Sequence, residues 1–324
     1  MNSTPAATSA GGVRAEAAGR HRPFALVLCG GGARGAAHAG VLRALEHDGL
    51  RPAVIVGVSM GAIVGATYAL NPDWYRDYVD VDLSHVPGVV RGSVVERTSR
   101  LRAALASGRA LRHLLLRWGP LTHARPAVEE VIARLTLGRR LEEARIPFAA
   151  VASDLISGQR VVLREGSAAE AAYASSALAG LLPPVSVDGM LLADGCYADV
   201  APVDVARALG GEVVIVVNPN AGPAAEVPRN GLQAIMRAMS ISVGRHALER
   251  LELADLELQV PFPVTVGTVE FSHHRACVAA GARAVRARRA EIRALLASAA
   301  PPPEPAADRD RLGLAAVGDR RPSV

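Results

Sequence analysis

A short apolar run, Phe24–Cys29 (FALVLC), ends on three consecutive glycines. A second run, Ala53–Val58 (AVIVGV), passes straight through Ser59 into another apolar stretch. Each run has strand length and no polar alternation, so both faces of its sheet must be covered. Between them, residues 33–47 place Val41, Leu42 and Leu45 on one helical face, and Asp48-Gly49 supplies a left-handed stop. Two buried strands joined through a helix pair in parallel, as a right-handed βαβ unit. The apolar stretch after Ser59 reads as a second helix that halts at Asn71-Pro72. Residues 53–70 are uncharged and just long enough for a membrane span. The Gly-x-Ser-x-Gly at their centre and the flanking turn signals favour a buried strand entering a buried helix instead.

Further strands are expected at Phe148–Ala152, Arg160–Leu163, Leu191–Ala193 and Val213–Val217, with a hairpin turn at Val187-Asp188-Gly189-Met190. Helices are expected at about Val203–Leu209 and Arg275–Leu296. The class is α/β: three layers, a central mostly parallel sheet with helices on both faces. Residues 73–145 are Arg-rich and helical in period, with Leu101, Leu105, Leu111, Leu114, Leu115 and Trp118 forming an apolar stripe. That stripe fits either a helical layer over the sheet or a lid that meets lipid. Residues 1–22 and 299–324 have the composition of loose tails. One domain is expected over 24–298, with its motifs in 24–210 and a helical completion in 211–298.

The net charge of +5 is carried without a single lysine, which suits anionic lipid head groups as well as nucleic acid. Arg275, Arg283, Arg286, Arg288, Arg289 and Arg293 on the last helix form either a solvated face or a contact with anionic membrane. Cys29, Cys196 and Cys277 are too few and too scattered for a disulfide framework or a zinc site, and a reduced, cytoplasmic compartment is expected. Residues 1–22 hold no apolar segment of the secretory kind.

Three constellations carry chemistry. Gly30-Gly31-Gly32-Ala33-Arg34-Gly35 leaves backbone N–H groups bare just before a helix, the makings of an anion nest. The spacing also satisfies the dinucleotide pattern, but the second strand ends on Val58-Ser59 with no acid to hold a ribose. A phosphate loop would need Lys-Ser/Thr, which does not follow. Gly57-Val58-Ser59-Met60-Gly61 puts a serine at a sharp strand-to-helix turn, flanked two residues away by glycines that let the turn close. Leu191-Leu192-Ala193-Asp194-Gly195 sets a carboxylate right after a short apolar strand, a poised base or an ordinary Asp-Gly turn. An α/β-hydrolase triad would require a later histidine, and His246, His273 and His274 all fall in Arg-rich helical stretches.

Taken in this order, the glycine loop, the Gly-x-Ser-x-Gly and the downstream Asp-Gly resemble the patatin-like phospholipases. The likeness extends to Val151-Ala152-Ser153-Asp154-Leu155, Ala174-Ser175-Ser176-Ala177, Pro183-Pro184-Val185 and Pro202-Val203-Asp204-Val205-Ala206, and covers residues 24–210 most clearly. It implies the three-layer fold of that family and a serine lipid acyl hydrolase that cleaves fatty-acyl esters. Ser59 would be the nucleophile and Asp194 its only general base. Gly30, Gly31, Gly32 and Arg34 would shape the oxyanion hole, Gly57 and Gly61 the elbow, and Gly35 and Gly195 would support the motifs. No metal or other cofactor is implied, and the expected partner is a lipid or other acyl-ester substrate, with peripheral membrane contact and no nucleic acid. A regulator that keeps the fold without the catalysis is the rival class. Two positions depart from the family pattern: Cys196 stands where Gly or Ala is usual after Asp-Gly, and Asp199 stands where Asn is common.

Overall fold

The computed structural model describes residues 21–83, 86, 118, 121–220, 227–228, 231–263, 266–268, 270–297 and 314–315. Most of the apolar stripe at 101–118 and nearly all of both terminal tails lie outside them; Trp118, at the end of the stripe, is exposed.

Among the described residues a nine-stranded sheet organises the chain, in the order β5-β6-β3-β2-β1-β7-β8, with β4 on the other edge of β3 and β9 beside β4. β1 (Phe24–Leu28) and β2 (Val54–Val58) are buried at every residue, as continuous apolar runs require. They pair in parallel, Leu26 opposite Ile55, and β7 (Val213–Asn218) and β8 (Leu256–Gln259) extend the parallel part on the far side of β1. β3 (Phe148–Asp154) runs parallel to β2 and antiparallel to β4 (Arg160–Leu163). The hairpin of β5 (Val185–Val187) and β6 (Met190–Asp194) turns at Asp188-Gly189, both at positive φ. β9 is the pair Leu314–Ala315, so this part of the expected C-terminal tail is tied to β4.

Two buried apolar clusters flank the sheet, one built on Leu26, Leu28 and Ile55, the other on Val27, Val56 and Val58 of the same strands. Alternate side chains of one strand enter opposite clusters, which places helical layers on both faces. The stretch 53–70 is β2 followed by α2 (Met60–Leu70), and its apolar character reflects burial rather than membrane. Among the described residues no helix is long and apolar enough to cross a membrane.

α1 (Ala37–His47) is preceded by a single 3-10 turn at Gly32–Ala36, so the helix expected from Ala33 opens tightly wound. After α3 (Trp74–Val79), α4 (Arg125–Leu135) and α5 (Ala168–Ser176) come α6 (Val203–Ala208) and α7 (Gly231–Leu251). The last helix expected at Arg275–Leu296 is two, α8 (His274–Ala287) and α9 (Arg289–Ala297), broken at Arg288. α8 crosses α1 where a Cβ on Gly40 would overlap the Val278 carbonyl and one on Gly281 would overlap the Ala37 carbonyl.

The topology of β3 positions the site. Its first half pairs with β2, ending Val58 opposite Val151, and its second half pairs with β6, starting Asp194 opposite Ala152. β4 occupies the opposite edge along Ala150–Ser153, so β2 and β6 must share one edge end to end. The place Ser59 would take if β2 continued is filled by Asp194.

Candidate active site

Ser59 turns out of β2 at φ 55° and ψ −124°, a left-handed conformation costly for any side-chain-bearing residue. Surrounding structure holds it there. The Ser59 N–H donates to Ser175 Oγ at 2.9 Å, and that hydroxyl donates in turn to the Val151 carbonyl at 2.6 Å. Gly57 and Gly61 close the turn: a Cβ on the first would meet Ala62, and one on the second would overlap the Leu28 carbonyl. At its far end α2 is fixed by Arg139, which donates to the Leu70 carbonyl at 2.8 Å, and by Arg145, which donates to the Tyr68 and Asn71 carbonyls.

The Ser59 hydroxyl donates to Asp194 Oδ2 at 2.7 Å, with Ser59 8% and Asp194 3% exposed. Asp194 Oδ1 accepts the Cys196 N–H at 2.9 Å, and the Cys196 thiol also bonds this carboxyl. Burial pushes the Asp194 pKa up, and the bonds from Cys196 and Ser59 oppose that rise only in part. A buried carboxyl raised in this way is a stronger base toward a hydroxyl than a free aspartate. The turn behind it is held by Ser153, whose hydroxyl donates to the Asp194 carbonyl at 2.9 Å and accepts the Ala198 N–H at 3.0 Å. Gly195 lets Val151 come so close that a Cβ there would overlap the Val151 carbonyl.

The glycine loop lies against this pair. A Cβ built on Gly30 would stand 3.1 Å from Ser59 Cβ and overlap the Cys196 sulfur. The Gly30 N–H faces that sulfur and works against the rise of the thiol's pKa. The Ala33 N–H donates to the Thr268 carbonyl at 2.8 Å and the Arg34 N–H to the Gly31 carbonyl at 3.2 Å. Gly32 sits at φ +53° against the Thr268 carbonyl, a combination no other residue could accept. Among the described residues no acceptor is found for the N–H groups of Gly31 and Gly32, the two residues that follow Gly30 in the loop. The Arg34 guanidinium lies within the field of Cys277 on α8, and Gly35 packs against Met60.

Ser59 and Asp194 meet, Gly30 packs against them, and Gly57, Gly61 and Gly195 close the turns that carry them, while Gly31, Gly32, Arg34 and Gly35 continue the loop toward α1. None of the three later histidines bonds Ser59 or Asp194: His246 is exposed, His273 pairs with Glu270, and His274 leans on Tyr78. Burial pushes the Cys29 and Cys196 thiols well up, which makes both poor nucleophiles. The departure at Asp199 has a structural reason. Its carboxylate, 1% exposed, receives Arg160 Nη1 at 2.6 Å, Arg250 Nε at 3.2 Å and Arg250 Nη2, and both arginines also bond Asp204. Ser175 and Asn220, whose amide donates to the Gly30 carbonyl at 2.6 Å, are not marked as site residues by their sequence context. Their partners lie far along the chain, and only the fold joins them.

A family model described as Patatin-like phospholipase matches residues 26–207, more than half of the chain. The chain belongs to the patatin-like phospholipase family. An uncharacterized NTE family protein of Mycobacterium bovis is 31% identical over 237 residues, covering 70% of this chain and 60% of that one. Human patatin-like phospholipase domain-containing protein 6 is 32% identical over 199 residues, which are 60% of this chain. The rat protein 7 of the same name is 31% identical over 197 residues. The match spans only 13% of the length of these two animal relatives. Among solved structures, VipD from Legionella pneumophila aligns over 82% of this chain and 66% of its own, at 17% identity and a TM-score of 0.45. Thr268, Pro219 and Asn220, which pack on the glycine loop of this patatin-like chain, lie beyond the stretch the family model covers.

Proposed function

We propose that this chain is a serine lipid acyl hydrolase that cleaves fatty-acyl esters through a Ser59–Asp194 dyad. The observation that carries the reading is the 2.7 Å bond from the Ser59 hydroxyl to Asp194, made directly and without a histidine between them. Ser59 Oγ attacks the ester carbonyl carbon as Asp194 takes its proton. The oxyanion that forms is met by the N–H groups of Gly31 and Gly32, each worth about 3 kcal/mol at the transition state. The glycine loop with Arg34 shapes that hole. Asp194 then returns the proton to the departing alcohol. In the second half Asp194 takes a proton from water, the hydroxide attacks the acyl-enzyme, and the fatty acid leaves as Ser59 regains its proton. A carboxylate has no tautomer to be fixed, so the third member of a triad has no task here.

The cytoplasm, with peripheral contact with anionic membrane, is the setting this reading takes. The best structural support for the membrane contact is Leu155 and Ile156, 44% and 70% exposed on the turn that follows β3, at the same C-terminal end of the parallel strands as Ser59. The C-terminal arginines support it less: Arg275, Arg288 and Arg289 are engaged with Asp80, Glu291 and Asp48.

The test is hydrolysis of a p-nitrophenyl ester series by the parent, Ser59→Ala and Asp194→Asn. Activity is expected to disappear in Ser59→Ala and to fall at least about a thousandfold in Asp194→Asn. Activity that survives in Asp194→Asn but not in Ser59→Ala would mean another base. A parent enzyme that neither hydrolyses esters or lipid micelles nor takes a fluorophosphonate label on Ser59 would make the chain a binding module.

A further inference from the structure

We infer that Asn220 is a positioning residue for the oxyanion hole, acting through the peptide between Gly30 and Gly31. The inference rests on the dyad reading above and adds a residue outside the family's motifs. A carbonyl only accepts, so the Asn220 side chain must present its amide NH2 to the Gly30 oxygen, at 2.6 Å. The C=O of Gly30 and the N–H of Gly31 belong to one trans peptide plane and point in opposite directions. Holding the oxygen on the Asn220 side aims the Gly31 N–H at the other side, where Gly30 adjoins Ser59.

Glycine makes such a restraint necessary. The peptide planes of a Gly-Gly-Gly loop rotate more freely than any other backbone, and an unrestrained donor loses its value as a preorganised dipole. Gly30 itself packs against the Cys196 sulfur and Ser59 Cβ, and the C=O of the peptide that follows it receives Asn220.

Asn220 is itself held. Its own N–H donates to Asn218 Oδ1 at 2.9 Å, and the Asn218 amide donates to Glu257 Oε1 at 2.8 Å. A relay of side chains thus runs from β8 through the end of β7 to the glycine loop. Pro219, between the two asparagines, packs against Gly31, so the same segment also limits how far that residue can move.

The experiment compares the parent, Asn220→Ala and Asn220→Asp in two measurements. One is kcat/KM on p-nitrophenyl butyrate. The other is Ki for an alkyl trifluoromethyl ketone, which adds to the nucleophile as a hemiketal oxyanion and must use the hole. Asn220 is exposed, so its truncation empties no core, and an unchanged thermal midpoint checks that each variant folds. Asn220→Ala is expected to lose about ten- to a hundredfold in kcat/KM and to raise Ki by the same factor. Asn220→Asp, which sets a carboxylate against the Gly30 oxygen, should lose at least as much. A defect in folding would reduce the active fraction and leave Ki alone. A Ki for Asn220→Ala within twofold of the parent overturns the inference, whatever happens to turnover. Full activity in Ser59→Ala overturns the dyad and this inference with it, so the two failures are told apart.

Discussion

The Asp199→Asn substitution removes one charge from a cluster of two arginines and two aspartates held together mainly by charge-assisted hydrogen bonds. Asp199 Oδ1 accepts the Ala201 N–H and Arg250 Nε, and Oδ2 accepts Arg160 Nη1 and Arg250 Nη2. An amide oxygen can keep the first pair. Its NH2 then faces two guanidinium donors, and two charge-assisted bonds are lost at about 1.5–3 kcal/mol each. Asp204 already accepts from both arginines and absorbs part of the loss, so the net cost is expected at about 2–4 kcal/mol. The assay is urea-induced unfolding followed to a midpoint, with the slope checked to be that of the parent. Because Asp199 and Arg160 are shielded from solvent, the cost should hardly change between low and high salt, whereas a surface pair would be screened away. Pairing Asp199→Asn with Arg250→Met should cost less than the sum of the two single changes, since the second removes a donor left facing an amide. A loss under about 1 kcal/mol, or one abolished by salt, would refute the reasoning. The substitution is the residue the family commonly carries here, so a large cost would show that Asp199 is matched to Arg160 and Arg250 in this chain.

Gly281→Ala must drive α8 away from α1, because its Cβ would overlap the Ala37 carbonyl, and should destabilise by about 1–3 kcal/mol, lowering the thermal midpoint. Gly244→Ala, in α7 with nothing within 4 Å of the new Cβ, is the control and should stabilise by about 0.5–1 kcal/mol. The acid limb of the pH–kcat profile should lie above the ordinary aspartate range: Asp194 must be ionised to accept the proton, burial raises its pKa, and activity falls as pH drops through that value. Cys196→Ala removes a bond that favours the ionised carboxyl and should move that limb further up in the same titration of rate against pH.

The parallel core was legible because strands buried on both faces read as unbroken apolar runs, and β1, β2 and β7 each fall within a residue or so of the expected bounds. The hairpin turn was legible because Asp188-Gly189 is turn chemistry at positive φ. β8 was not, since its sequence, Leu-Glu-Leu-Gln, is that of a sheet-edge strand whose polar residues hide the signal. The break between α8 and α9 at Arg288 carries neither Gly nor Pro, and nothing local announces it. In the site, Ser59 and Asp194 were legible from motifs. Ser175 was not: its hydroxyl matters only because α5 brings it to the Ser59 N–H from 116 positions away. Asn220 reaches Gly30 across 190 positions, and an asparagine between Pro219 and a loop looks like ordinary turn chemistry.

What brings the dyad together is an interruption in the sheet rather than either motif alone. β2 leaves the edge of β3 at Val58, since the turn through Ser59 cannot continue a ladder. Three residues of β3 then lack a partner on that side, Ala152, Ser153 and Asp154, and an unpaired stretch of buried backbone is costly. β6 enters antiparallel to satisfy them, and its last residue meets β3 where Ser59 would have been. Register decides the rest. Side chains alternate between faces along a strand, so a shift of one residue would set Ala193 opposite Ala152 and turn the carboxylate to the other face. The leucines of β6 guard against that shift, since Leu192 is fully buried in the larger core cluster and could not exchange faces without exposing itself. The same apolar packing that fixes the strand thus fixes the 2.7 Å bond between nucleophile and base.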